Sequence, residues 1–300
     1  MRASFIPMVL AASRRLVAMA AGAVLLLQLA GPASAEPAMW VVKDADSTVY
    51  LLGTFHLVKP GTPWWSDKID SAFKSSDELW LEAIEDEQSG SLQLLVLTNG
   101  LDPRHPLSSK LSAEDFAALD EAAKAAGLRA AGLDPMRPWL AALTLTVVPL
   151  LKQGYDPKQG VDKTLEASAA KSGKPVKTFE TPEQQVRFFA SLSPESELAF
   201  LTQTLKEIEA GPQYVEQMTT AWMQGDVEQL DGMMVKQMQE AAPELYDTLI
   251  LKRNLDWSNK IAGIMQGAGT SFVAVGAGHL TGEKSLQALL QERGFSVSSY

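Results

Sequence analysis

Val49-Tyr50-Leu51-Leu52-Gly53-Thr54-Phe55-His56-Leu57 and Phe272-Val273-Ala274-Val275-Gly276-Ala277-Gly278-His279-Leu280 follow one pattern, 223 residues apart. Each copy is an apolar run with the look of a buried strand, a glycine at its exit, and a histidine three residues later. Each is followed by a helical stretch and a second strand-like run. Glycine at a strand exit permits a tight or positive-φ turn and lets a ligand come close to the backbone. If the two runs lie parallel in one sheet with right-handed crossovers, their C-terminal loops open on the same edge. That is where open α/β sheets place their sites. His56 and His279, two of the three histidines in the chain, then approach each other.

Outward from these units, short β-rich runs alternate with helical stretches along the whole chain, which predicts an α/β fold. The expected strands are 48–52, 78–83, 176–179, 271–275 and 295–299. Ser112 with Asp115 predicts an N-cap, and Gly127 a close to the same helix. Thr181-Pro182 with Gln184, and Ser193-Pro194, predict caps with proline at the first helical position. A long amphipathic stretch covers 244–266. Most strands sit at the two ends of the chain and most helices between about 100 and 265. The expected architecture is therefore a central, mostly parallel or mixed sheet built from both ends, with a large helical insertion. No linker is evident, so 36–300 reads as a single domain. Residues 211–242, rich in methionine and glutamine, read as helical cover.

Residues 1–35 read as a secretory signal peptide. They hold Arg2, Arg14 and Arg15 and no acid, then an apolar run over 16–30, then Ala33-Ser34-Ala35. That run is shorter than the roughly twenty residues a spanning helix needs. Ser13-Arg14-Arg15 also suits a twin-arginine signal. Cleavage would remove three of 26 basic side chains and none of 36 acidic ones, leaving a net charge of −13 over 265 residues. The sequence thus predicts export to a Gram-negative periplasm, with no transmembrane segment in the mature chain. Apolar residues make up 46% of the chain, enough for a substantial core, and no basic block exists to meet a nucleic acid backbone. Cysteine is absent, which excludes disulfides, thiol nucleophiles and cysteine-ligated metals.

Without thiols, the histidines carry the chemistry. An imidazole on each of two matched turns can ligate a metal or move protons, whereas one histidine alone would more simply hydrogen-bond its turn. His105, in a proline-flanked turn, reads as a surface residue. Glu82 ends the strand 78–83 on the same presumed edge, and an acid among apolar strand residues suggests a role beyond solubility. Alternation also places Glu78, Trp80 and Glu82 on one face, so a half-exposed strand is an equal reading. Glu180 follows the strand 176–179 and either joins the site or complements the next helix N-terminus.

Taken with Leu81-Glu82, Arg137-Pro138-Trp139, Gly160-Val161-Asp162, Phe179-Glu180-Thr181-Pro182-Glu183-Gln184-Gln185 and Arg253-Asn254 with Trp257, the two GxxH units resemble the TraB/GumN family. That family is related to the Tiki metalloproteases and, more distantly, to erythromycin esterase-like and ChaN-like proteins. The resemblance covers nearly all of the chain after residue 35. It implies a hydrolytic centre that uses a divalent metal, with manganese, cobalt or zinc as candidates, and cleaves peptide bonds. Carried onto this sequence, His56, His279 and Glu82 become metal ligands, or Glu82 the base that activates water. Two imidazoles and a carboxylate leave coordination positions open for water and substrate, and a bound cation lowers the pKa of that water. Arg253 would stabilise an oxyanion or pair with Asp256 or Glu180, and Asn254 lies beside it.

The leading expectation is a secreted, metal-dependent peptidase- or amidase-like hydrolase acting on a peptide or small molecule at the cell envelope. Two alternatives stand beside it. One is a periplasmic binding protein for peptide or haem, or an accessory to polysaccharide export. The other is a metal-free, esterase-like hydrolase using His56 as base with Glu82 orienting it.

Overall fold

A computed structural model describes residues 36–84, 90–211 and 213–300. The expected signal peptide, 1–35, lies outside the described residues. The first GxxH unit begins in strand β2 (Ser47–Thr54) and the second in β5 (Gly269–Gly276), and the two pair in parallel with Tyr50 opposite Phe272 and Thr54 opposite Gly276. Both strands are apolar on both faces because both faces are covered. Tyr50, Leu52, Phe272 and Ala274 point into one core. Val49, Leu51, Val273 and Val275 point into a second, against Trp257 and Ile261.

Around this pair the sheet has six strands in the order β4-β3-β5-β2-β1-β6. Helix α1 (Asp67–Ser75), capped by Ser66, links β2 to β3 (Glu78–Leu81), which runs parallel to β5 on its other side. Strand β4 (Val176–Thr178) is parallel to β3. The fold is thus α/β with a mixed sheet drawn from both ends of the chain, and the C-terminal ends of β2, β5, β3 and β4 open on one edge. Two strands depart from the sequence reading. The run Met39–Lys43 forms β1, antiparallel to β2. The last strand, β6 (Ser296–Ser299), pairs antiparallel with β1 instead of completing a parallel unit beside β5. With β2 and β3 already on both sides of β5, the returning chain reaches the sheet at the open edge of β1.

The insertion is helical. Its members include α2 (Ser91–Gly100), α3 (Ala113–Ala125), α4 (Pro138–Lys152), α5 (Val161–Ser172), α6 (Pro182–Ala190), α7 (Pro194–Glu209) and α8 (Gln213–Met223). The caps are those the sequence announces. Ser112 accepts from the Asp115 N–H, and Ser193 from that of Ser196. Thr181 and Gln184 form a reciprocal capping box. Helices α3, α4 and α7 enclose their own core around Leu119, Ala123, Ala141, Leu145 and Leu201. The stretch expected at 244–266 starts at Pro243, widens into a π-helical turn at Asp247–Leu251, and continues as α9 (Lys252–Ile264). Helix α10 (Leu286–Glu292) follows the second histidine turn.

Candidate functional site

Glu82 lies one residue past β3, and Glu180 two residues past β4. The two strand exits stay paired beyond the sheet, with the Phe179 N–H donating to the Leu81 carbonyl at 3.0 Å and the Glu180 N–H to the Glu82 carbonyl at 2.8 Å. Both carboxylates are thereby delivered, buried, to the C-terminal edge. Arg253, in the first turn of α9 just after the π-helical turn, reaches them from the side. Its Nε donates to Glu180 Oε1 at 2.8 Å, and its Nη2 to Glu180 Oε2 at 2.9 Å and Glu82 Oε2 at 2.5 Å. Its Nη1 donates to the Leu249 carbonyl and to His279 Nε2, at 3.1 and 3.0 Å. A guanidinium has five N–H groups, and all five are used here.

His279 sits in a short 3-10 turn (Ala277–Leu280) after β5 and is buried. Its Nδ1 lies 2.7 Å from Asn254 Oδ1, an acceptor, so Nδ1 carries the proton and Nε2 presents its lone pair to Arg253. Trp257, one turn along α9, packs its ring 4.4 Å from the imidazole and donates to Glu180. Burial, together with the adjacent guanidinium, lowers His279 to about 3 and keeps it neutral. Burial would raise Glu82, but the Arg253 guanidinium and the His56 imidazolium outweigh it, and with the Gly276 N–H bond hold the carboxyl at about 2. Gly276 has a steric reason to be glycine. A Cβ there would come within 3.1 Å of Glu82 Oε1, which accepts the Gly276 N–H at 2.7 Å.

His56 occupies the matching turn of the first unit in a different environment. Its side chain is 59% exposed, and its Nδ1 lies 3.1 Å from Oδ1 of Asp162, in the first turn of α5. Gly160 allows this approach, since a Cβ there would overlap the His56 carbonyl. The Val161 N–H donates to the Phe55 carbonyl at 3.0 Å and fastens the helix start to the turn. Desolvation, which would lower the imidazole, is outweighed by the Asp162 and Glu82 carboxylates, and His56 is raised to about 9. His56, Asp162, Glu82 and Gln185 line one cavity of about 210 Å³, shared with Lys163 and Glu166. Gln185, on α6, donates to Glu82 Oε2 at 3.1 Å.

The structure therefore gathers the sequence candidates Glu82, Glu180, Arg253 and His279 into one cluster, with His56 across the cavity from it. Both readings of Arg253 bear on what is seen. It pairs with Glu180, while Asp256 pairs with Lys260 at 2.8 Å. For it to stabilise an oxyanion, one of its five bonds would have to open. His105 is a surface residue beside Asp102. Asp162 and Gln185 are additions. Their signal was present only as pieces of the family-like motifs Gly160-Val161-Asp162 and Thr181-Pro182-Glu183-Gln184-Gln185.

As arranged, the expected ligand set of His56, His279 and Glu82 does not fit a divalent ion. Glu82 Oε2 and His279 Nε2 are both directed at the Arg253 guanidinium, so the cation between them is an arginine. Among the described residues, no group of three or more His, Asp or Glu side chains is disposed to hold a metal. No helix of the described residues is long and apolar enough to cross a membrane.

The chain is similar to YbaP of Escherichia coli K12, an uncharacterized protein, at 25% identity over 255 residues, covering 85% of this chain and 92% of that one. YbaP of Shigella flexneri matches to the same extent, at 25% identity. No solved structure matches. The sequence model of one family matches residues 38–299, from the first strand to the last, and on that match the chain belongs to the TraB/PrgY/gumN family.

Proposed function

We propose that this chain is a hydrolase of peptide or related amide bonds, exported across the cytoplasmic membrane and acting at the cell envelope. The observation that carries the reading is the His56–Asp162 pair on the rim of a cavity whose wall is the anchored Glu82. Asp162 holds His56 by Nδ1, which leaves Nε2 for a water or a substrate atom. With His56 raised to about 9, the basic form grows as pH rises toward that value; in that neutral form the imidazole takes a proton from the attacking water and returns it to the leaving group, and Asp162 stabilises the imidazolium in between. Glu82 is the fixed part of the wall against which the substrate is placed, and Arg253, bonded to Glu180 and His279, holds it there. Export is supported by the arginines, apolar run and small residues of 1–35.

A second reading keeps the divalent cation on His56, His279 and Glu82. It is favoured by the His279 tautomer, since a metal-ligating imidazole ordinarily donates its other nitrogen to an oxygen acceptor such as Asn254. It requires Arg253 to leave Glu82 and His279. Incubation of the chain with a peptide library before and after chelation decides between them. Cleavage that survives chelation and is lost in His56→Ala supports the first reading. Cleavage restored by manganese, cobalt or zinc alone supports the second. Retention of a ligand without product would make the chain a binding protein.

A further inference from the structure

A second cavity, of about 170 Å³, lies away from the site, among α7, α8 and the segment 231–246. Its wall is apolar and dominated by four thioethers, Met218, Met233, Met234 and Met238, together with Phe200 and Leu245. Methionine is flexible and polarisable, and it serves surfaces that must fit more than one apolar guest. One end of the cavity is polar. Gln203 donates to Glu207 Oε1 at 3.0 Å, and the Tyr214 hydroxyl lies 2.5 Å from the Met233 carbonyl. Burial raises the Glu207 carboxyl above the ordinary carboxylate range, and its oxygens can accept a hydrogen bond from a guest's hydroxyl. An engineered apolar cavity of about 150 Å³ binds benzene, so this volume suits a guest of one ring or a short chain.

We propose that this methionine-lined cavity is a binding site for a small, uncharged apolar molecule carrying one hydroxyl or carbonyl group, seated with that group at Glu207 and Gln203. The site is separate from the His56 cavity and independent of whether the chain is a hydrolase. Its Met234 methyl nonetheless lies 3.6 Å from where a Cβ at Gly278 would stand, in the turn that carries His279.

Phenol and toluene, equal in size and different in one hydroxyl, test the proposal on the full chain labelled at the methionine methyl carbons. Saturable chemical-shift changes are expected at Met218, Met233, Met234 and Met238, with Met39, Met136 and Met265 unmoved. Phenol should bind about five- to tenfold tighter than toluene, the worth of one hydrogen bond. Glu207→Leu should equalise the two ligands, and Glu207→Gln, which keeps an oxygen acceptor, should preserve the preference. No saturable shift at millimolar ligand, or shifts spread equally over all the methionines, overturns the site. Equal affinity of the unaltered chain for phenol and toluene overturns the assignment of its polar end, whether or not the Glu207 variants fold.

Discussion

His56 and His279 stand at equivalent places in two units that pair in register, and their surroundings are opposite. His279 is buried, held by Asn254 on one nitrogen and Arg253 on the other, and covered by Trp257. His56 is mostly exposed and touches one carboxylate. The motif supplies the turn and the imidazole, and the helices packed on each turn supply its electrostatics. A buried neutral imidazole beside a guanidinium is an anchor. An open imidazole on a carboxylate is placed to exchange protons.

This contrast predicts a graded series of effects. The largest belongs to Arg253→Ala, which strands Glu82 and Glu180 as buried carboxylates without their cation. A loss of about 3–5 kcal/mol in denaturant unfolding is expected. A loss below 1 kcal/mol would mean that the cluster is wetter than described. Next comes His279→Ala, which leaves Asn254 and Arg253 each short of a partner, at about 1–3 kcal/mol.

Acid should reveal the same anchor without mutation. His279 has a folded pKa of about 3, below its ordinary 6.5. The folded state binds fewer protons than the unfolded one in that interval, so its contribution is full above 6.5 and is lost as pH falls toward 3. Stability measured from pH 7 to 3 should decline in the parent chain more steeply than in a folded His279→Asn variant. Parallel curves would remove the buried neutral histidine from the account.

The smallest effects on stability fall on the exposed side of the comparison. Above pH 9, where the imidazole is uncharged in both the folded and the unfolded chain, His56→Ala should change unfolding free energy by no more than about 0.5 kcal/mol, as expected of an exposed position. Under the proposed function the same variant loses hydrolysis. Asp162→Asn should likewise fold normally while shifting the pH profile of hydrolysis to lower pH, because the carboxylate no longer favours the imidazolium. An unchanged profile would show that Asp162 holds the turn without acting on His56.

Much of the frame was legible in the sequence because local chemistry writes it. Gly53 and Gly276 mark the strand exits, and Ser112, Thr181 and Ser193 announce helix starts whose cap hydrogen bonds are all present. Strand β1 escaped because its partner is chosen by register against β2; β6 was expected at 295–299, but its antiparallel place beside β1 was not, because that depends on which sheet edge remains open. In the site, Glu82, Glu180, Arg253 and both histidines could be named from their positions, but their division of labour could not. Asp162 meets His56 across 106 residues and Gln185 meets Glu82 across 103, and no local periodicity encodes either contact. One of the five Arg253 donors goes to the Leu249 carbonyl in the π-helical turn at Asp247–Leu251, which the apolar pattern of that helix does not distinguish from α-helix.

One measurement tests the contrast at the centre of this account, a titration of both imidazoles by nuclear magnetic resonance in a single sample of the folded chain. His56 should remain protonated through neutral pH and release its proton near 9, while His279 remains neutral with its proton on Nδ1 down to about 3. Two histidines titrating together near 6.5 would contradict it, and with it the separation of the site into a fixed wall and a proton-exchanging rim.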